Sequence, residues 1–229
     1  MIPLPHKIQF IEKDKDTAQI EIEGLYPGYG ITLGNTLRRV LLSSLEGCAI
    51  TSFKIKGVSH EFTTLPGVLE DVVIISLNLK KLRFKMQDDE PQIITLSVKG
   101  KGKVTGKDIK TTPQIEVVNK DQLIATLTDE KARLEMEIKV EKGVGYLPIE
   151  MREEKTKVIG EIPIDAIFTP IKKVSYKIEN VRVGKRTDFE KLILSIETDG
   201  TLNPKEAYAK SLNIIIEQFS YLLNNLDKK

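Results

Sequence analysis

The sequence predicts an α+β protein in which antiparallel sheet dominates. Two observations carry this: most of the chain alternates apolar and polar residues with period two, and three segments break that rule with helical spacing and helix-end chemistry. A third sets the scale, since 40% of the 229 residues are hydrophobic, enough to bury a core in one large domain or two small ones. No internal repeat or low-complexity linker divides the chain, so a domain boundary must be made by the fold and not by a flexible tether.

The period-two runs follow in order. TAQIEIE (17–23) sets Ala18, Ile20 and Ile22 on one face and Gln19, Glu21 and Glu23 on the other, as a strand buried on one side requires. AITSFKI (49–55), LRFKM (82–86), IITLSVK (93–99), ARLEMEIKVE (132–141), KVSYKIENVRV (173–183) and KLILSIET (191–198) repeat the pattern. Turn-forming DDEP, GKGK and TDG separate some of them.

Three helices are expected. TLGNTLRRVLLSSLEG (32–47) aligns Leu33, Leu37, Val40, Leu41 and Leu45 on one face, with Thr32 as cap and Gly47 as terminator. LPGVLEDVVIISLNLKKL (65–82) is apolar enough for strand or helix, but its length, Pro66, and the acids Glu70 and Asp71 near its start favour a buried helix. The last begins at Asn203 as cap, with Pro204 in the first helical position and Glu206 in the third, and runs to about Leu226.

Composition excludes several function classes. Thirty-five Lys and Arg against thirty-three Asp and Glu leave a formal net charge of +2, so no overall field points to nucleic acid or an anionic membrane. The only cysteine, Cys48, rules out an internal disulfide, and the N-terminus lacks the basic-then-apolar pattern of a signal peptide. No apolar run approaches the roughly 20 residues of a membrane span. A cytoplasmic protein is expected.

The stretch GYGITLGNTLRRVLLSS (28–44) raises a phosphate-binding alternative, because strand, glycine loop and helix come in the order of a dinucleotide site. That alternative is a stand-alone nucleotide-binding enzyme using the Gly28–Gly34 loop. Three details weigh against it. The third glycine falls one residue late, at Gly34; the preceding strand alternates where a doubly wound first strand is continuously apolar; and no acid suited to a ribose ends the next strand near 54–57. The following arginines suit a protein contact better. With the apolar face centred on Leu37, Asn35, Arg39 and Leu42 fall opposite and Arg38 on the border, placing a leucine between arginines as in an interface hot spot. An ordinary exposed leucine among solvated charges is the alternative.

In the last helix, Tyr208, Leu212, Ile215, Phe219, Leu222 and Leu226 recur at heptad spacing, and Ile216 and Leu223 widen the stripe. Such a stripe covers a sheet of its own subunit or, together with the first helix, pairs with a second copy into a symmetric dimer. Catalytic chemistry is poorly supplied: His6 and His60 are distant in sequence, His60-Glu61 lacks the second histidine of a zinc helix, and Cys48 heads an apolar run. Asp88, Asp89 and Glu90 read as a polar turn, and KGKGKVTGK (99–107) as a solvated basic loop. No catalytic residue, metal site or cofactor is expected.

At GYGITLGNTLRRVLLSSLEGCAIT (28–51) the sequence resembles the alpha subunit of bacterial DNA-directed RNA polymerase. PGVLEDVVIISLNLK (66–80), LTDEKA (127–132), EIPIDAIFTPIKKVSYKIENVRVGKRTDFEKLILSIETDGT (161–201) and NPKEA (203–207) continue the likeness in the same order. The resemblance implies a non-catalytic scaffold subunit of a nucleotidyltransferase, homodimeric, on which the beta and beta-prime catalytic subunits assemble for transcription. It also implies a dimerisation subdomain from both chain ends, about 1–47 and 171–229, and an inserted mainly β subdomain, 48–170, that contacts the large subunits.

The resemblance further implies site residues. Asn35, Arg38, Arg39 and Leu42, with Ile74 on the second helix, match the beta-contacting surface, and Lys80, Ile164, Ile171 and Lys191 match positions on the beta-prime side. Leu33, Leu37, Val40, Leu41, Tyr208, Leu212, Ile215, Phe219, Leu222 and Leu226 would lie at the dimer interface. Alpha subunits usually continue to a small DNA-binding domain. This sequence stops at LDKK (226–229), so no direct DNA contact is expected of it.

Overall fold

Alternation decides which side of each strand is buried, and the sheets follow from it. The computed structural model describes residues 2–152 and 160–226. In chain order it forms β1 (Lys7–Glu12), β2 (Thr17–Leu25), α1 (Tyr29–Ser43), β3 (Glu46–Ile55), α2 (Val72–Leu79), β4 (Phe84–Met86), β5 (Gln92–Lys99), β6 (Gly102–Thr105) and β7 (Ile109–Lys110). There follow β8 (Ile115–Val117), β9 (Leu123–Leu127), β10 (Arg133–Val144), β11 (Tyr146–Leu147), β12 (Ile162–Pro163), β13 (Ala166–Ile167), β14 (Ile171–Val183), β15 (Arg186–Thr198) and α3 (Pro204–Asn224). The chain divides into two compact units, Met1–Leu45 with Thr169–Lys229, and Glu46–Phe168.

The first unit is built on an antiparallel sheet in the order β1-β2-β15-β14. Ala18, Ile20 and Ile22 of β2 pair with Ile196, Leu194 and Leu192 of β15, and all six side chains are buried. Leu37 and Leu41 of α1 and Ala207 of α3 close this core. The opposite face of the same strands carries Gln19, Glu21, Glu23 and Lys191, as the period-two pattern requires.

The second unit is a mainly β domain around a five-stranded sheet, β12-β3-β10-β5-β7, with the pairs β11-β13, β4-β8 and β6-β9 beside it. The twelve-residue β10 is its spine, hydrogen-bonded to β3 on one edge and β5 on the other. Its inward residues Leu134, Met136, Ile138 and Val140 join Phe53, Ile94 and the buried side of α2 (Val72, Ile75, Leu79) in one core. The fold is thus α+β, with antiparallel sheets throughout.

Several element bounds differ from the sequence expectation, each for a physical reason. Helix α1 starts at Tyr29, not after Thr32, and stops at Ser43, with Gly47 inside β3. Its cap comes from a distant side chain, and Gly47 is drawn into the ladder opposite Gly143 of β10. The helix expected over 65–82 is only α2, eight residues long. Gly67, at φ 75°, breaks the path, and its carbonyl accepts the Thr128 N–H at 2.8 Å. The two acids then take separate tasks: Asp71 caps α2 by accepting the Ile74 N–H, and Glu70 accepts the Thr126 N–H and hydroxyl. The basic stretch 99–107 is not a loop throughout, because Gly102–Thr105 pairs with β9. Apart from β4, which falls in the LRFKM run, the short strands beside β10 have no alternating run long enough to announce them.

Candidate functional site

The glycines of the opening stretch have a packing purpose. Gly30 and Gly34 lie on the buried side of α1. A Cβ at residue 34 would meet Leu192 and Tyr176 at 2.9 Å, so only glycine lets the helix lie this close to β14 and β15. The helix N-terminus, where a phosphate would sit, is already filled: Glu190 of β15 accepts the Gly28 N–H at 2.9 Å and the Gly30 N–H at 2.8 Å, one on each carboxylate oxygen. A fixed carboxylate satisfies the same donors and the same dipole that an anion would need. Nothing therefore supports the nucleotide-binding alternative at Gly28–Gly34.

The outer side of α1 presents Asn35, Arg38 and Arg39, all exposed. Arg38 donates to the Val174 carbonyl at 3.4 Å, whereas the Arg39 guanidinium has no hydrogen bond or ion pair to a described residue. Leu42, expected opposite the apolar stripe, is half-buried and packs against the core of its unit. Leu37 and Leu41 are spent inside that core, at 3% and 0% exposure, while Leu33 and Val40 are half-buried.

Helix α3 resolves the two alternatives for its stripe by position. Tyr208, Leu212 and Ile215 pack half-buried against the sheet and α1 of their own unit. Beyond them Ile216, Phe219, Leu222, Leu223 and Leu226 stand 60–75% exposed. The stripe thus covers its own sheet over its first half and projects bare over its second.

In the second unit, α2 buries Val72, Ile75 and Leu79 and shows Val73, Ile74 and Leu77 to solvent. Lys80 follows directly and pairs with Asp165 at 2.8 Å. Ile164 is 4% exposed within the core. In the first unit Ile171 is also 4% exposed, and Lys191 is held between Glu21 at 2.7 Å and Glu23 at 3.0 Å. Lys191 holds both carboxyls below the usual range, and they in turn raise the Lys191 ammonium. On the chain by itself neither isoleucine reaches the surface, and both lysines have internal partners.

Among the described residues no group of His, Cys, Asp and Glu could hold a metal ion, and no helix is long and apolar enough to cross a membrane. Sequence reasoning missed Glu190 and Asp165. Each partners residues far away along the chain, Gly30 at a separation of 160 and Lys80 at 85, and no local pattern announces such a pair.

Two compact units, the second inserted between the two chain segments of the first, narrow the class. Residues 53–169 match the family model described as RNA polymerase Rpb3/RpoA insert domain, which makes this an insert-bearing subunit of an RNA polymerase. The chain is 52% identical over 206 residues to a DNA-directed RNA polymerase subunit alpha of Lawsonia intracellularis, covering 90% of this chain and 59% of that protein. It is 46% identical over 218 residues to the subunit alpha of Carboxydothermus hydrogenoformans, covering 95% of this chain and 69% of the relative. A similar relative comes from Flavobacterium psychrophilum, 46% identical over 218 residues, covering 94% of this chain and 66% of the relative. This chain belongs to the DNA-directed RNA polymerase alpha subunit family.

Proposed function

We propose that this chain is the non-catalytic assembly subunit of a cytoplasmic DNA-directed RNA polymerase, a homodimer on which the beta and beta-prime subunits are gathered. The observation that carries the reading is the bare second half of α3, where Ile216, Phe219, Tyr221, Leu222 and Leu223 stand 60–70% exposed. Contiguous exposed apolar surface of this kind marks a protein interface, and a helix meeting its own copy gives a closed twofold dimer. In this reading the first unit dimerises, and the core residues Leu37 and Leu41 hold α1 in place beneath the interface. The second unit supplies a surface for a large subunit. Asn35, Arg38, Arg39 and Leu42, with Ile74 of α2, serve the beta subunit, and Lys80, Ile164, Ile171 and Lys191 serve the beta-prime side.

The chain contributes no reacting group to nucleotidyl transfer in this scheme, and it needs no cofactor. Sedimentation of the isolated chain tests the dimer. The expected species has twice the 25.8 kDa chain mass, and Phe219→Glu with Leu222→Lys should yield a folded monomer. A wild-type monomer at micromolar concentration would overturn the dimer reading.

A further inference from the structure

Lys80 ends α2 with its backbone already fixed. Its N–H donates to the Ser76 carbonyl at 3.0 Å, and its own carbonyl accepts from Arg83 Nη1 at 2.9 Å. The ammonium then reaches Asp165 Oδ2 at 2.8 Å, with both side chains only about a quarter exposed, 24% and 27%. The other oxygen, Asp165 Oδ1, accepts the Ile149 N–H at 3.1 Å. Next to this aspartate, Ile164 is secured twice through its backbone: its N–H donates to the Thr51 carbonyl at 3.0 Å, and its carbonyl accepts from Arg152 Nη2 at 2.5 Å. Arg152 Nη1 also donates to the Thr51 carbonyl, at 2.6 Å. Beyond Asp165 lies the β11-β13 ribbon, where Tyr146 pairs with Ile167 and Leu147 with Ala166, and its outward Tyr146 and Ile167 are 60% and 37% exposed.

We propose that Lys80 is a positioning residue: through Asp165 it latches the β11-β13 ribbon to the end of α2, and it acts on a partner only through the surface the ribbon presents. Two facts favour this over direct contact. The Lys80 charge is already paired, so a partner would have to break an ion pair to use it. The neighbouring Ile164 is buried, so neither it nor the paired Lys80 offers a partner a free side chain, whereas the ribbon beside them exposes Tyr146 and Ile167. Lys80, followed by the Ile149 N–H, keeps the Asp165 carboxyl below its ordinary range, consistent with a pair formed in the resting fold.

The part of this inference that concerns a partner rests on the assembly reading; the latch itself does not. Amide exchange of the full chain is to be measured at Ile149, Leu147 and Phe168, whose N–H donates across the ribbon to the Gly145 carbonyl at 2.9 Å, in wild type, Lys80→Met, Asp165→Asn, the double variant and Lys80→Arg. Retention of co-expressed large polymerase subunits is scored on the same proteins. Exchange at these amides is expected to quicken about tenfold in both single variants and no further in the double, with Lys80→Arg near wild type and Ile75 of α2 still protected. Retention should fall in parallel. Unchanged Ile149 exchange in Lys80→Met overturns the latch, and if retention falls all the same, Lys80 is a direct contact. Quickened exchange with full retention overturns the link from ribbon to partner. Failure of the wild-type chain to retain the large subunits contradicts the assembly reading, while the exchange data still decide the latch.

Discussion

Glu190 and Gly30 are fitted to one another: the carboxylate accepts the Gly30 N–H at 2.8 Å, and a Cβ at residue 30 would lie 2.7 Å from that same oxygen. The contact ties β15 to the start of α1 and closes the helix end to any external anion. Replacing Glu190 by Ala leaves two N–H groups without their acceptor and should lower the unfolding free energy by about 1 kcal/mol, the size of a lost helix cap. Urea unfolding measures this. Calorimetry of the wild-type protein with inorganic phosphate or ATP should show no binding at micromolar levels.

Gly34→Ala tests the close approach of α1 to the sheet. Alanine gains about 1 kcal/mol of helix propensity over glycine. The new methyl, however, would crowd the fully buried Leu192 and the Tyr176 ring at 2.9 Å, and overpacking costs about 1–3 kcal/mol. A net loss of stability, read as a lowered unfolding midpoint, is expected.

The Lys191 triad should show itself as a pH window. Glu21 and Glu23 have lowered pKa values in the fold, so their contribution is present above the unfolded value of about 4.3 and is lost as pH falls through the folded values. Lys191 is raised, so its contribution is complete below the unfolded value of about 10.4 and is lost as pH rises through the folded one. Stability against pH should therefore fall at both ends, and Lys191→Met should flatten both limbs.

Arg39 is exposed and has no internal ion pair to a described residue. Arg39→Ala should therefore leave the melting temperature and the dimer unchanged while weakening retention of a large subunit, because a truncated interfacial arginine strands its partner groups. Equal retention by variant and wild type in a co-purification would remove Arg39 from the contact surface.

What the sequence made legible follows from the range of each interaction. The faces of β2, the cap Asn203 and the stripe of α3 depend on neighbours within a few residues and are readable in the sequence, where Asp71 reads only as a favourable first-turn charge. The start of α1 is not readable in this way, because its cap is Glu190, on another strand. The length of α2 is not legible in the apolar run 65–82, because the break at Gly67 is fixed by its contact with Thr128, some sixty residues on. Which half of the α3 stripe is bare depends on where the sheet ends beneath it, which only the fold decides. The same holds for Asp165, whose role needs Lys80 brought beside it.

The most direct test of the assembly role is native mass spectrometry of this chain co-expressed with the two large polymerase subunits of its host. One complex holding two copies of this chain with one beta and one beta-prime subunit is expected. Large subunits recovered without this chain, or bound to a single copy of it, would overturn that role.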